Sequence, residues 1–207
     1  MQTSAMEPSS ISLKNIQCQR NGEMLFVPFD CHLNSGNMIA LVGPNGVGKT
    51  TLLEGLAGLR RLTGEQPDWA QTCFSNRLYC GHKLGLSTGL NCLENLRFFA
   101  AMEGQEADTD KLLSLLDSVQ LSGYEYIFAH ELSAGQKKKL ALLRLQLSSA
   151  KLWLLDEPFT NLDAVGEDWL KNRIQKHLSD DGCLIISLHQ HMALRQQADQ
   201  VIELQPL

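Results

Sequence analysis

Two short runs carry most of the chemistry legible in this chain. Gly43-Pro44-Asn45-Gly46-Val47-Gly48-Lys49-Thr50 fits the spacing G-x-x-x-x-G-K-[ST], with Thr51 behind it. Glycines at those places permit close backbone approach, so that successive N–H groups and the start of a following helix turn towards phosphate oxygens. Lys49 adds a point charge for β- and γ-phosphates, and the Thr50 hydroxyl is suited to ligate Mg²⁺. Far along the chain, Leu152-Trp153-Leu154-Leu155-Asp156-Glu157 brings an apolar strand up to two carboxylates. Asp156 suits a metal ion and its coordinated water, and Glu157 suits a general base beside an attacking water. A glycine turn or a solvated acidic turn accounts for either run alone. Together they point to hydrolysis of a nucleoside triphosphate.

The elements around these runs must deliver them to one place. Residues 38–42 (MIALV) read as a strand, and TLLEGLAGL after the loop reads as a helix ending near Gly58, a strand–loop–helix unit of a parallel sheet. Upstream, 11–19 and 25–33 read as two strands joined through Arg20-Asn21-Gly22-Glu23, where Asn-Gly suits a type I′ hairpin turn. After a strand at 77–80, segments 91–102, 110–119 and 134–149 carry helical spacing with no strand between them. LWLLD, CLIIS and QVIEL then return as short apolar strands, separated by helical stretches at 165–178 and 190–197. The expectation is an α/β chain with a mostly parallel core sheet, an N-terminal antiparallel β subdomain and a helical lobe inserted at about 84–148. Residues 1–10 are expected to form a flexible tail, and 11–207 a single nucleotide-binding domain.

Composition bounds the partners. Of 207 residues, 18 are Lys or Arg and 23 are Asp or Glu, so the net charge of −5 excludes a bulk electrostatic grip on nucleic acid, and no nucleic-acid partner is expected. No apolar run approaches the roughly 20 residues of a spanning helix, and the first residues lack a basic and apolar leader, which predicts a cytoplasmic chain. The six cysteines contain no C-x-x-C pair and read as small buried hydrophobes. The run Lys137-Lys138-Lys139 is expected to be solvated.

Leu132-Ser133-Ala134-Gly135-Gln136 resembles the LSGGQ signature of the ATP-binding cassette (ABC) family, and it precedes a helix for which Ser133 is placed as a cap. Asn161-Leu162-Asp163 resembles that family's D-loop, and His189 its switch histidine, which bonds the γ-phosphate. Two positions depart from the pattern. His82, in Leu78-Tyr79-Cys80-Gly81-His82, stands where cassettes usually carry a glutamine that touches Mg²⁺, and Arg20 stands near where an aromatic usually stacks on adenine, with Phe26 the competing residue. These departures, with E-N-L-R-F-F and L-W-L-L-D-E-P-F-T, resemble the ATPase subunits of cytochrome c maturation systems, described as haem exporter ATP-binding proteins; the likeness runs over 11–204.

That resemblance implies ATP and Mg²⁺ as ligands. Catalytic roles fall to Lys49, Glu157 and His189, metal contacts to Thr50, Asp156 and His82, and nucleotide contacts to the 43–51 loop, Arg20, Ser133, Gly135, Gln136 and Asp163. It also implies an ATP-dependent homodimer, in which each signature faces the partner copy's nucleotide, docked on integral membrane subunits at the cytoplasmic face of a bacterial inner membrane. The output is haem export or release of a haem-loaded chaperone; the alternative is another small ABC exporter or importer. The membrane-subunit contact is expected along 84–99, with Leu84 and Leu86 exposed. Direct haem binding by Cys31-His32 or by Cys80 with His82 is not expected, because C-x-x-C-H is absent.

Overall fold

The computed structural model describes residues 10–66, 69, 72, 74–106, 108–188 and 192–207. They fall into two compact groupings: one takes the described residues up to Gly81, with Ala150–Pro158 and His177–Leu207, and the other takes His82–Ser149 with Phe159–Lys176. The sequence places the lobe at about 84–148, whereas the second grouping also includes 159–176.

In the first grouping, β1 (Ser10–Arg20) pairs antiparallel with β2 (Glu23–Met24), β3 (Phe29–Asn34) and β5 (Leu62–Glu65). Asn21 and Gly22 take φ of 53° and 86°, both left-handed, as the Asn-Gly signal requires. The inward parity of β1 changes midway, since Ile11 and Leu13 are buried and then Ile16 and Cys18. A bulge between Leu13 and Ile16 causes the change: Asn15 sits at φ 51°, and its N–H donates to Asp30 Oδ1 at 2.7 Å. β5 is absent from the sequence expectation because its four residues include a glycine and only Leu62 is buried, so no apolar period marks it.

The second sheet is wholly parallel, in the order β6 (Arg77–Cys80), β7 (Leu152–Asp156), β8 (Cys183–Ser187), β4 (Met38–Val42), β9 (Gln200–Glu203). The three central strands β7, β8 and β4 are buried at every position, which is why they read as unbroken apolar runs. Helix α1 (Lys49–Leu56) follows β4, and Gly58, at φ 79°, lies just past its Ala57 C-cap. Trp153 of β7 stacks on His177, with ring centroids 3.7 Å apart, and His177 Nε2 lies 3.1 Å from Cys183 O. Helix α7 (Met192–Gln197) leads into β9.

In the second grouping, α2 (Cys92–Met102), α3 (Thr109–Ser118), α4 (Ala134–Leu142) and α5 (Arg144–Leu147) pack Leu93, Leu96, Phe99, Leu112, Leu116 and Leu140 into one core. The expected single helix at 134–149 divides at Leu143, whose N–H is shared between Lys139 O (3.2 Å) and Leu140 O (3.3 Å). Asn91 caps α2 through a reciprocal box with Glu94. Helix α6 (Ala164–Ser179) begins in this grouping.

Two surface expectations are corrected. Lys138 and Lys139 are buried, since α4 turns both inward; only Lys137 of the three keeps a half-exposed place. Leu84 and Leu86 are half-buried, Leu86 against the lobe core, while Phe98 is exposed within that stretch and Met102 just beyond it on α2.

Candidate functional site

The phosphate loop leaves the C-terminal end of β4, Asp156 closes β7, and β8 lies between those two strands. The sequence runs that read as chemistry thus meet at the carboxyl ends of neighbouring parallel strands, where open α/β sheets bind ligands. Two glycines of the loop are dictated by space. At Gly43 (φ 141°) a Cβ would stand 2.7 Å from Leu204 O, and at Gly48 (φ 115°) it would press at 3.1 Å on both Leu25 Cδ1 and Phe26 Cδ1. Pro44, Asn45 and Gly46 are exposed on the rim, while Val47 packs into the core.

Lys49 is buried and curls back over the loop, its Nζ donating to Gly43 O at 2.8 Å and to Pro44 O at 3.1 Å. Beside it the Thr50 hydroxyl donates to Asp156 Oδ2 at 2.7 Å; Thr51 is half-buried in the next helical position. The second oxygen of Asp156, Oδ1, accepts from Ser187 Oγ at 2.7 Å, and Ser187 Oγ in turn accepts from the Glu157 N–H at 2.8 Å. Thr50, Asp156, Ser187 and Glu157 therefore form one continuous chain of hydrogen bonds. It offers two hard oxygen donors, a hydroxyl and a carboxylate, with Lys49 the chain neighbour of Thr50 and Glu157 that of Asp156. Such a set suits a divalent ion that keeps most of its shell for water and phosphate. Ser187 carried no functional reading in the sequence, yet a serine closing the otherwise apolar strand CLIIS is a buried polar group that calls for a partner.

The signature residues form a separate cluster in the second grouping. Ser133 caps α4: its Oγ accepts from the Gln136 N–H at 3.2 Å, while Gln136 Oε1 accepts from the Ser133 N–H at 2.9 Å. Gly135 lies so close to the D-loop that a Cβ there would stand 2.9 Å from Asn161 O. Asp163 accepts from the Gly166 N–H at Oδ1 (2.9 Å) and from Lys139 Nζ at Oδ2 (2.7 Å). Lys139, expected from the sequence to be solvated, is instead the buried partner of Asp163.

Arg20 is exposed at the end of β1, and its competitor Phe26 is fully buried in the core against Gly48, so Phe26 offers no face to a base. His82 is exposed where the second grouping begins. His189 lies outside the described residues. Burial raises the thiols of Cys18 and Cys31 to about 12, which keeps both protonated near neutrality and makes them poor metal ligands. Among the described residues no group of three or more His, Cys, Asp or Glu gathers as a metal site, and no helix is long and apolar enough to cross a membrane.

Comparison with known proteins agrees with this geometry. The ABC transporter family model matches residues 27–160. The cytochrome c biogenesis ATP-binding export protein CcmA of Haemophilus influenzae is 40% identical over 194 residues, covering 90% of this chain and 92% of its own length. The protein of the same name from Hahella chejuensis is 39% identical over 192 residues (89% and 90%), and that from Escherichia coli O157:H7 is 37% identical over 188 residues (87% and 89%). Among solved structures, a putative ABC transporter ATP-binding protein from Pyrococcus furiosus superposes with a TM-score of 0.79 at 20% identity, covering 95% of this chain and 98% of that one. A cassette solved as a dimer in a post-hydrolysis state with ADP and Pi gives 0.76 at 19% identity and 94% of each chain. With the phosphate loop, the β7 carboxylates and the signature cluster all in the family's order, the chain belongs to the ABC transporter ATPases and, within them, to the cytochrome c biogenesis ATP-binding export proteins.

Proposed function

We propose that this ABC ATPase is the ATP-hydrolysing subunit of a cytochrome c maturation complex and couples hydrolysis to integral membrane subunits at the cytoplasmic face of the inner membrane. The observation that carries the reading is the hydrogen-bonded chain Thr50–Asp156–Ser187–Glu157 beside Lys49. In this reading the backbone of 43–51 cradles the phosphates, and Lys49 leaves the Gly43 and Pro44 carbonyls to meet β- and γ-oxygens. Thr50 and Asp156 would hold Mg²⁺, and the family resemblance assigns a metal contact to His82 as well. The ion, when bound, draws off charge that develops on the transferring phosphoryl group. Glu157 accepts a proton from the attacking water, and His189, by the family resemblance, bonds the γ-phosphate.

Each nucleotide is completed by Ser133, Gly135, Gln136 and Asp163 of a second copy, so the working state is an ATP-dependent homodimer. The N-terminus of α4, with its exposed Ser133, is suited to a γ-phosphate. Arg20, exposed at the end of β1, stacks its guanidinium plane on adenine in this reading. The CcmA relatives support the pathway, since they carry the cytochrome c biogenesis name at 37 to 40% identity over nearly the whole chain. The cycle drives haem export or release of haem-loaded chaperone, without haem binding to this chain; the second reading is an ATPase for another small transporter.

The test is a deletion strain complemented by this chain and by its Glu157→Gln variant, assayed for covalently bound haem on c-type cytochromes. The wild-type chain is expected to restore it and the variant to fail. Restoration by neither, with both proteins present at the membrane, refutes the pathway.

A further inference from the structure

Ser187 is the single polar residue of β8, and it is fully buried. The register of the parallel pair sets it directly beside Asp156. Its hydroxyl is used in both senses. The Glu157 N–H can only donate, so the Ser187 oxygen accepts there at 2.8 Å, and its own proton goes to Asp156 Oδ1 at 2.7 Å. The other carboxylate oxygen of Asp156 is held by Thr50 at 2.7 Å, so both oxygens are oriented by hydroxyls. Glu157 needs such a restraint, because its φ of 44° lies in the left-handed region, which is strained for an L-residue other than glycine.

We propose that Ser187 is a positioning residue for ATP hydrolysis: it fixes the backbone from which Glu157 projects and the rotamer of Asp156 at the same time. The inference rests on the reading of Glu157 as general base. One hydroxyl ties the bearing of the base to that of the metal-holding carboxylate, so that water and phosphate are met at a set distance. Loss of the hydroxyl frees both, and the effect falls on the chemical step more than on nucleotide capture, which belongs to the 43–51 backbone and Lys49.

The experiment measures steady-state ATP hydrolysis by the full chain co-purified with its membrane partners. Ser187→Ala, Ser187→Cys, Ser187→Thr and Glu157→Gln are compared with wild type, with the half-saturating Mg²⁺ concentration and the melting temperature recorded for each. Ser187→Ala is expected to lower kcat by about 10-fold to 100-fold while KM for ATP stays within about 3-fold, and to raise the half-saturating Mg²⁺. Ser187→Thr, which keeps the hydroxyl, is expected to return kcat to within about 3-fold of wild type. If Ser187→Ala does not fold, Ser187→Cys supplies the same comparison, its thiol being a weak donor. Turnover by Ser187→Ala within about 2-fold of wild type, or a loss that Ser187→Thr does not restore, overturns the inference. Glu157→Gln separates the two levels: normal turnover there defeats the reading of the site itself, whereas a dead Glu157→Gln beside a normal Ser187→Ala defeats only the role of Ser187.

Discussion

Lys139 Nζ lies 2.7 Å from Asp163 Oδ2, and the pair is lopsided: the lysine side chain is 7% exposed, the aspartate 58%. Asp163 also caps the start of α6 through the Gly166 N–H, so one carboxylate ties α4, the helix that opens at the signature, to the turn that opens α6. Removing either partner is therefore not equivalent. Lys139→Met takes away a charge and leaves the cap, and is expected to cost no more than about 1 kcal/mol. Asp163→Ala strands a buried ammonium and uncaps α6, and is expected to cost about 2–3 kcal/mol. Thermal melting of both variants checks the order, and a larger loss for Lys139→Met contradicts it.

The same pair makes an acid prediction. The hydrogen bond from Lys139, and then that from the Gly166 N–H, hold the Asp163 carboxyl below its ordinary value of 3.8. A lowered folded value means that the contribution is present in full above the unfolded value and is lost as pH falls through the folded one. Wild type is expected to lose melting temperature more steeply than Asp163→Asn below pH 3.8. Parallel curves would show that the pair is not coupled to stability.

Lys49 presents a further case of one group with two duties. Its bonds to Gly43 O and Pro44 O brace the loop, so Lys49→Ala is expected to lower ATP affinity by about 10-fold or more and also to lower the melting temperature without nucleotide. Titration of a fluorescent ATP analogue measures the first and a thermal melt the second. Unchanged affinity would remove Lys49 from the phosphate cradle.

Asn95 is a buried amide on α2 that shapes the segment ahead of it. Its Oδ1 accepts from the Ser87 N–H at 2.9 Å, and its Nδ2 faces the carbonyls of Ser87, Leu90 and Asn91 at 3.1, 3.1 and 2.9 Å. Asn95→Leu keeps the branched shape and discards these bonds; the three carbonyls retain backbone donors in Leu90, Ala129 and Asn95 itself, but the Ser87 N–H loses its acceptor, and the change is expected to cost about 1–3 kcal/mol. At about 2–4 °C per kcal/mol for a chain of this size, the melting temperature should drop by several degrees.

How far these residues were legible in the sequence depends on the kind of signal each leaves. The phosphate loop and the β7 carboxylates were legible because local spacing dictates both their conformation and their chemistry, and the parallel strands because burial on both faces writes an apolar run. The antiparallel strand β5 left no such run, for it is short, interrupted by glycine and largely exposed. Lys138 and Lys139 misled because a charge run is usually solvated, and only the packing of α4 decides that two of its three ammonium stems turn inward. Ser187 was invisible for another reason: its role comes from the register of β7 against β8, two strands brought together from distant parts of the chain.

Alkaline pH should weaken the fold through its thiols. Burial pushes Cys18 and Cys31 up from 9.0 to about 12 and Cys92 to about 11. The unfolded chain therefore releases protons where the folded chain holds them, so stability present below pH 9 falls progressively between 9 and 12. Urea unfolding at several pH values checks this, and Cys18→Ala with Cys31→Ala should flatten the decline even while lowering stability overall. An identical slope in that double variant would place the titration elsewhere.

Gly81, the residue before His82, owes its identity to its neighbour two places back on β6. The hydroxyl and ring edge of Tyr79 fill the place of a Cβ, with Cε1 at 2.8 Å from it. Gly81 carries no left-handed φ, so the requirement is one of space and not of backbone conformation. Gly81→Ala must then displace a half-buried ring, at an expected cost of about 1–3 kcal/mol. The cost should vanish where the ring is already gone: adding Gly81→Ala to Tyr79→Ala is expected to change stability by less than about 0.5 kcal/mol, a coupling that a double-mutant cycle reads directly. Additive losses would mean that something other than the Tyr79 ring demands a glycine there. In that event the glycine would answer to a constraint other than the packing of Tyr79 at the end of the sheet.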